Sequence, residues 1–400
     1  MKKKHLVFIA GIFLILSIGI GLTYSYFVPT FIGTSGEDLL NLYKYNLKVN
    51  YINTSSVLIN STTSTVVKNM TIENKNAISK NYLLIFDNVV NTIPGGATLT
   101  YSFTCSSTIS TCASKSSTAA PTTDGELSTV RAIAAGAVHT YAITFTLTGT
   151  LTTETFSTNI NAKLINYMVT PGAWDGTAKF WSSRSTISQI TFETAINIPE
   201  GTAANKIWDM SVANDGSIMA YKDASNVIHI QSSGPITSDP DGEGMFGNMS
   251  NLTAVNNAYL LDTSQVTTMR NMFRTTPNLT TLDLSGWNTS KVTTMYEMFY
   301  ASGNDLVTLN ISSWDTSKVT TMQSMFYDCA ALKTIYFNSG VFTLVTGYSG
   351  MFNAFPSNPA NKGNIYVKDT AGYNFIYARL TASQRTNNNI IIDPTCSNCP

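Results

Sequence analysis

The chain has 400 residues, a length for two or three domains, and balances 24 lysines and arginines against 24 aspartates and glutamates. Zero formal net charge and a charged fraction of 12 % argue against a nucleic-acid partner, which would need a basic stripe to displace counterions. A hydrophobic fraction of 43 % is ample for packed cores and excludes wholesale disorder, while heavy use of Ser, Thr and Asn suits an exported protein whose solvated faces are hydroxyl and amide.

Residues 1–30 read as a membrane segment. Lys2, Lys3 and Lys4 precede the apolar run from Leu6 to Leu22, and a helix of about 20 residues crosses the ~30 Å hydrocarbon core. The lysines hold the start inside, and Tyr24 and Tyr26 would sit at the outer interface. A cleaved signal peptide is the alternative, although its apolar region is usually shorter and no small-x-small site precedes Tyr24. Either way the remainder lies outside the cell.

Residues 37–168 have a different texture. Segments such as NLKVNYI, TVVKNMTIEN, NYLLIFDNVV, TLTYSFTC, HTYAITFTLTG and FSTNINAKLINY recur every 10 to 20 residues, with turn residues between them. Many short, alternating segments rich in β-branched and aromatic residues predict an antiparallel β-sandwich. The pattern ends at Val169-Thr170-Pro171-Gly172. Cys105 and Cys112 bracket a Ser/Thr-rich loop and could close a hairpin disulfide outside the cell.

A five-fold Met-Phe pair organises the second half: Met245-Phe246, Met272-Phe273, Met298-Phe299, Met325-Phe326 and Met351-Phe352, spaced by 27, 26, 27 and 26 residues. A fixed period in this range marks stacked repeats, because one unit has too few apolar residues to bury them alone. In LTTLDL, Leu282 and Leu284 alternate with Asp283 as in a half-buried strand. Val292, Met295, Met298 and Phe299 stand at i, i+3, i+6 and i+7, which predicts one or two turns of helix. Every repeat Met and Phe is expected to be core, and Cys329 a small buried hydrophobe.

Catalytic and metal signals are thin. His139 and His229 lack any nucleophile motif around them, and Asp239, Asp241 and Glu243 lack the full EF-hand spacing, so an ordinary acidic turn is the expectation. Cys396 and Cys399 form half a zinc site with no second pair, so a local disulfide or a terminal scar is expected there. No enzymatic activity, cofactor or metal is expected.

The units resemble the leucine-rich repeats of BspA-like bacterial surface proteins. LTTLDLSGWNTSKVTTMYEMFYAS (Leu279 to Ser302) carries that resemblance, which spans about Ile187 to Phe352. ISQITFETA, IWDMSVANDGSIMAY and NVIHIQSSG look like that family's strand-rich entry region, and Cys329 falls where the family often has cysteine. The anchor plus the sandwich is similar to exported TasA-type biofilm-fibre proteins of Gram-positive bacteria. The resemblance implies surface display and adhesion without catalysis, although the array is short and an LPxTG-like sorting signal is absent from the C-terminal residues.

The expected architecture is mainly β with short helices: a membrane segment (1–30), an N-terminal antiparallel β-sandwich (37–168), a β-rich cap (171–244), a leucine-rich-repeat solenoid (245–355) and a C-terminal cap and tail (356–400). The candidate ligand face comprises the outward strand positions Thr281, Asp283, Ser285, Thr308, Asn310, Ser312, Thr334, Tyr336 and Asn338, with Tyr336 as the aromatic anchor. Strands about 4.8 Å apart give five repeats a face on the order of 300–400 Å², under half of the ~800 Å² per partner of a stable complex. The expected function is a cell-membrane-tethered surface protein contacting host matrix proteins, other cells or glycans weakly and multivalently. The alternatives are a glycan-active extracellular enzyme or a structural envelope or biofilm subunit.

Overall fold

The computed structural model describes residues 38–40 and 47–395, leaving out 53, 63, 95, 110, 304–305, 338–341 and 356–361. The expected membrane segment and the Cys396/Cys399 pair lie outside the described residues; among those described, no helix is long and apolar enough to cross a membrane. The chain is mainly β with few, short helices.

Eleven strands build the first unit: β1 (Asp38–Leu40), β2 (Leu47–Ile52), β3 (Ser56–Ile59), β4 (Thr65–Asn74), β5 (Lys80–Asn91), β6 (Thr98–Ser107), β7 (Lys115–Ala119), β8 (Gly125–Glu126), β9 (Arg131–Ile133), β10 (Val138–Thr148) and β11 (Phe156–Ile165). One antiparallel sheet runs β1-β2-β4-β10-β6-β7; the other runs β3-β11-β5-β8, with β9 also on β5. Alternation decides which face is buried. His139, Tyr141, Ile143, Phe145 and Leu147 of β10 point inward, against Tyr82, Leu84 and Phe86 of β5. Rings from both sheets meet there, Phe86 edge-on to Tyr101 at 4.9 Å and Phe145 beside Phe156 at 5.7 Å. Cys105 and Cys112 are disulfide-bonded, with Cα atoms 5.6 Å apart, and close the β6–β7 connection.

The second unit begins with β12 (Tyr167–Met168), β13 (Gln189–Glu193), β14 (Ile207–Asp209), β15 (Ile218–Lys222), β16 (Val227–Ser232), β17 (Ile236–Ser238), β18 (Ala254–Asn256) and β19 (Leu261–Asp262). It continues with β20 (Thr281–Leu282), β21 (Thr308–Asn310), β22 (Thr334–Phe337), β23 (Gly363–Val367), α1 (Thr370–Tyr377), α2 (Ala382–Asn387) and β24 (Asn388–Ile392). Strands β14-β15-β16-β13-β18-β20 form a six-stranded sheet and β21-β22-β23-β24 a parallel four-stranded one. A single apolar core runs through both, from Met168 to Leu380.

The Met-Phe units are rungs in that core. Phe246, Phe273, Phe299, Phe326 and Phe352 stack in one column, with successive centroids 5.0, 5.5, 5.7 and 5.7 Å apart. Met245, Met272, Met298, Met325 and Met351 are buried beside them. Trp287 and Trp314 are also buried, and each satisfies its indole N–H on the preceding unit, at Ala258 O (3.0 Å) and Leu284 O (3.3 Å).

The helix expected over Val292–Phe299 does not form. Each repeat instead holds two residues of positive φ four positions apart, among them Asn271 and Thr275, Glu297 and Ala301, and Ser324 and Asp328. A left-handed residue every fourth position cannot continue a right-handed helix. The backbone bonds that a helix would use internally run between rungs instead. The N–H groups of Met269, Asn271, Phe273 and Thr275 donate to the carbonyls of Thr294, Tyr296, Met298 and Tyr300 at 2.8–3.0 Å, and the next units repeat the scheme. Parallel bridges Asp241–Thr268–Thr294–Thr321–Gly347 mark the same ladder.

Both ends of the stack are closed. The buried guanidinium of Arg184 donates to the carbonyls of Gly176, Gly244 and Gly247 over the first rung. Gly244 is required there: its φ is +63°, and a Cβ would lie 2.3 Å from the Trp174 backbone. At the far end Phe375 of α1 stacks on Phe342 at 4.3 Å, and Gln384 of α2 donates to Phe352 O at 2.5 Å. Asp369 caps α1, and a Thr381/Gln384 capping box starts α2.

Two substitutions check this arrangement by denaturant unfolding. Phe299→Ala removes a ring sandwiched between two others and should cost about 3–5 kcal/mol. Ala301→Gly would cost about 1 kcal/mol in a helix interior. At a φ of 50° it should be neutral or stabilising, and a clear loss would restore the helical reading.

Candidate ligand face

Because successive strand residues alternate sides, the strands that bury Ile190, Ile228, Ile335 and Ile365 turn a second set of side chains outward. Thr281, Asp283, Ser285 and Thr308 are exposed there, and Asn310, Ser312 and Thr334 are half-buried. Asn338 lies outside the described residues. Tyr336 needs correction as an exposed anchor: it is 9 % exposed, because its ring stacks on Tyr366 at 4.6 Å. Burial, Tyr366 and the Asp393 charge all raise its pKa. Strand register dictates this, since Tyr336 and Tyr366 are paired residues of neighbouring parallel strands.

The expected residues also divide between two sheets. Thr281 belongs to the six-stranded sheet, whereas Thr308 and Thr334 belong to the four-stranded one. The spacing of the units also changes between these two sheets. Phe273 to Leu279 spans six positions, but Phe299 to Leu306 spans seven. Gly303 lies in the longer connection, with a φ of +63° and a position where a Cβ would meet that of Leu306 at 2.3 Å.

Several carboxylate and amide side chains hold the backbone around them. Asp283 Oδ1 accepts the Ser285 N–H at 3.0 Å, and Asn310 Oδ1 accepts both the N–H and the hydroxyl of Ser312. Asp239 and Asp241 do likewise for Asp241 and Glu243, while Glu243 accepts from Asn271 and faces Arg270 at 3.4 Å. The acidic turn is therefore held by local turn bonds and an arginine contact.

The face extends further than the repeats suggested. On β13, β15, β16 and β18 the side chains turned to this face form polar groups. Tyr221 stacks on His229 at 4.5 Å, His229 Nδ1 lies 2.6 Å from Glu193 Oε1, and Gln231 donates to Glu193 Oε2 at 2.5 Å. Asn256 donates to Gln189 and Thr191, next to β20. Sequence reasoning missed these residues, although the alternation in VIHIQS and QITFE carries the signal.

The sandwich docks on a different flank. Lys163 pairs with Asp262 at 2.8 Å, and Glu126 takes Lys291 (2.8 Å) and Gln265 (2.9 Å) at equivalent positions of successive units. Lys80 meets Asp215 at 2.5 Å with both side chains largely buried. Cys329 is buried, its thiol donating to Phe299 O at 2.9 Å; burial first, and then the Asp328 charge, push its pKa up to about 12, which disfavours the thiolate.

Residues 241–364 match the family model described as "Mycoplasma protein of unknown function, DUF285". No curated protein and no solved structure matches the chain.

The docking contact carries a pH signature. Burial alone would raise the Asp215 pKa, but the Lys80 ammonium and the hydrogen bonds from Ser217 and Ser211 outweigh it and hold the carboxyl far below its ordinary range. A depressed pKa contributes stability that is present above the unfolded value of ~3.9 and is lost as pH falls through the folded value. Asp215→Asn should therefore melt lower than wild type at neutral pH, with the two curves converging only in strong acid. Parallel melting curves from neutral pH into acid would remove the contact from the ledger.

Proposed function

We propose that this chain is a non-enzymatic, membrane-tethered bacterial surface protein of adhesin type. In this reading residues 245–355 are a BspA-like leucine-rich-repeat solenoid, the sandwich spaces it from the envelope, and the strand face makes the contact. The partners are host matrix proteins, other cells or glycans. The observation that carries the reading is the division of flanks. The sandwich occupies the side bearing Asp262, Gln265 and Lys291 and leaves Thr281, Asp283, Ser285 and Thr308 exposed.

Size favours weak, repeated contacts. Six strands at ~4.8 Å spacing give about 24 Å and four give about 14 Å, so a ~15 Å deep face offers roughly 550–600 Å². That exceeds what the repeats alone provide and still falls short of the ~800 Å² per partner of a stable complex. Display of many copies on one surface would supply the missing strength through avidity. The rival glycan-active enzyme loses its best carboxylates, since Asp239, Asp241 and Glu243 are engaged in turn bonds and an arginine contact.

The test is binding of the full chain, displayed on detergent-free vesicles, to arrays of matrix proteins and glycans. Asp283→Arg with Thr308→Arg should lower the signal at least about ten-fold, a loss of roughly 1.4 kcal/mol. Thr320→Arg, on the rung-ladder side, should leave it unchanged. Equal binding by all three would reject the strand face as the contact.

A further inference from the structure

The sandwich holds a group of side chains that neither the spacer role nor the ligand face uses. The ligand atoms of Cys105, Cys112 and His139 all lie within 4.8 Å of one another. They come together because Cys105 and His139 sit diagonally on paired strands β6 and β10, in the register that sets Tyr141 against Cys105 and His139 against Ser107. The hairpin then returns Cys112 to Cys105.

We propose that these three residues form a redox-gated site for a soft, tetrahedral metal ion of the Zn²⁺ class, closed while the disulfide is intact and available once it is reduced. A dithiol supplies the two electrons: the sulfur–sulfur bond breaks, two cysteine thiols form, and the dithiol becomes the disulfide. The metal ion then displaces both thiol protons and takes two thiolates and one imidazole, the donor set such ions prefer, with a fourth position left for water or an added ligand. The sulfurs must part to about 3.8 Å, the separation set by ~2.3 Å bonds at a tetrahedral angle.

A second observation points the same way. His139 Nδ1 lies 2.6 Å from the Tyr82 hydroxyl, which in turn lies 2.6 Å from the Tyr141 hydroxyl. That contact orients the ring as outer-shell partners orient metal-bound histidines, with Nε2 as the ligating nitrogen.

The experiment uses the full chain in mild detergent with Cys396→Ser and Cys399→Ser, so that the C-terminal pair supplies no thiolate. A trialkylphosphine reduces the disulfide without itself offering a thiol ligand, and Co²⁺ is the probe. The reduced chain should bind one Co²⁺, showing a thiolate-to-cobalt charge-transfer band and the visible bands of a tetrahedral site, and Zn²⁺ should displace it. The oxidised chain should show none of these. Tyr82→Phe should lower affinity about 10–100-fold. Cys112→Ser, a change at a half-buried position, and His139→Gln, with its fold checked by circular dichroism, should abolish the tetrahedral spectrum. No thiolate band in the reduced chain, or the same band in folded Cys112→Ser, would overturn the proposal.

Discussion

The stack depends on where alternate backbone N–H groups of the TTMxxMF segment send their hydrogen bonds. In a helix they would be spent within the segment. Here they cross to the neighbouring unit, so each rung is incomplete without the next and no unit can be stable alone. Side chains follow from that geometry. Rungs joined at β-like spacing bring equivalent positions face to face, which places the five phenylalanines in one column and the methionines beside them. The ends must then be sealed, by Arg184 and Gly244 at one and by α1 and α2 at the other.

Much of this was legible in the residues. The Met-Phe period announces stacking, and the alternation in LTTLDL announces a strand. The helix reading failed because the i, i+3, i+6, i+7 spacing records only which side chains share a side, and a chain of tight turns can satisfy it too. Gly244, Asn248, Asn271 and Gly350 are the counter-signal, as residue types that tolerate left-handed backbone. Non-glycine residues such as Glu297 and Ala301 hide the same conformation elsewhere, where the inter-rung bonds and the buried column hold it in place.

The candidate face was legible in part, for a different physical reason. Alternation tells which residues point outward, but the neighbours decide whether an outward residue is exposed. Tyr336 is covered by Tyr366, which belongs to a strand beyond the last Met-Phe unit. The polar group around His229 and Glu193 comes from cap strands whose order, β16-β13-β18, is not their order in the chain. Lys80 and Asp215 lie 135 positions apart, and no local pattern links such a pair.

The rung ladder also bears on how such a molecule can change over time. Every interior unit offers its neighbours the same backbone donors and acceptors, and the sealing residues lie only at the two ends. A duplicated block of 26 or 27 residues inserted between them would therefore find its bonding scheme already waiting on both sides. Reach away from the sandwich becomes a quantity that gene duplication can lengthen or shorten without redesigning either terminus.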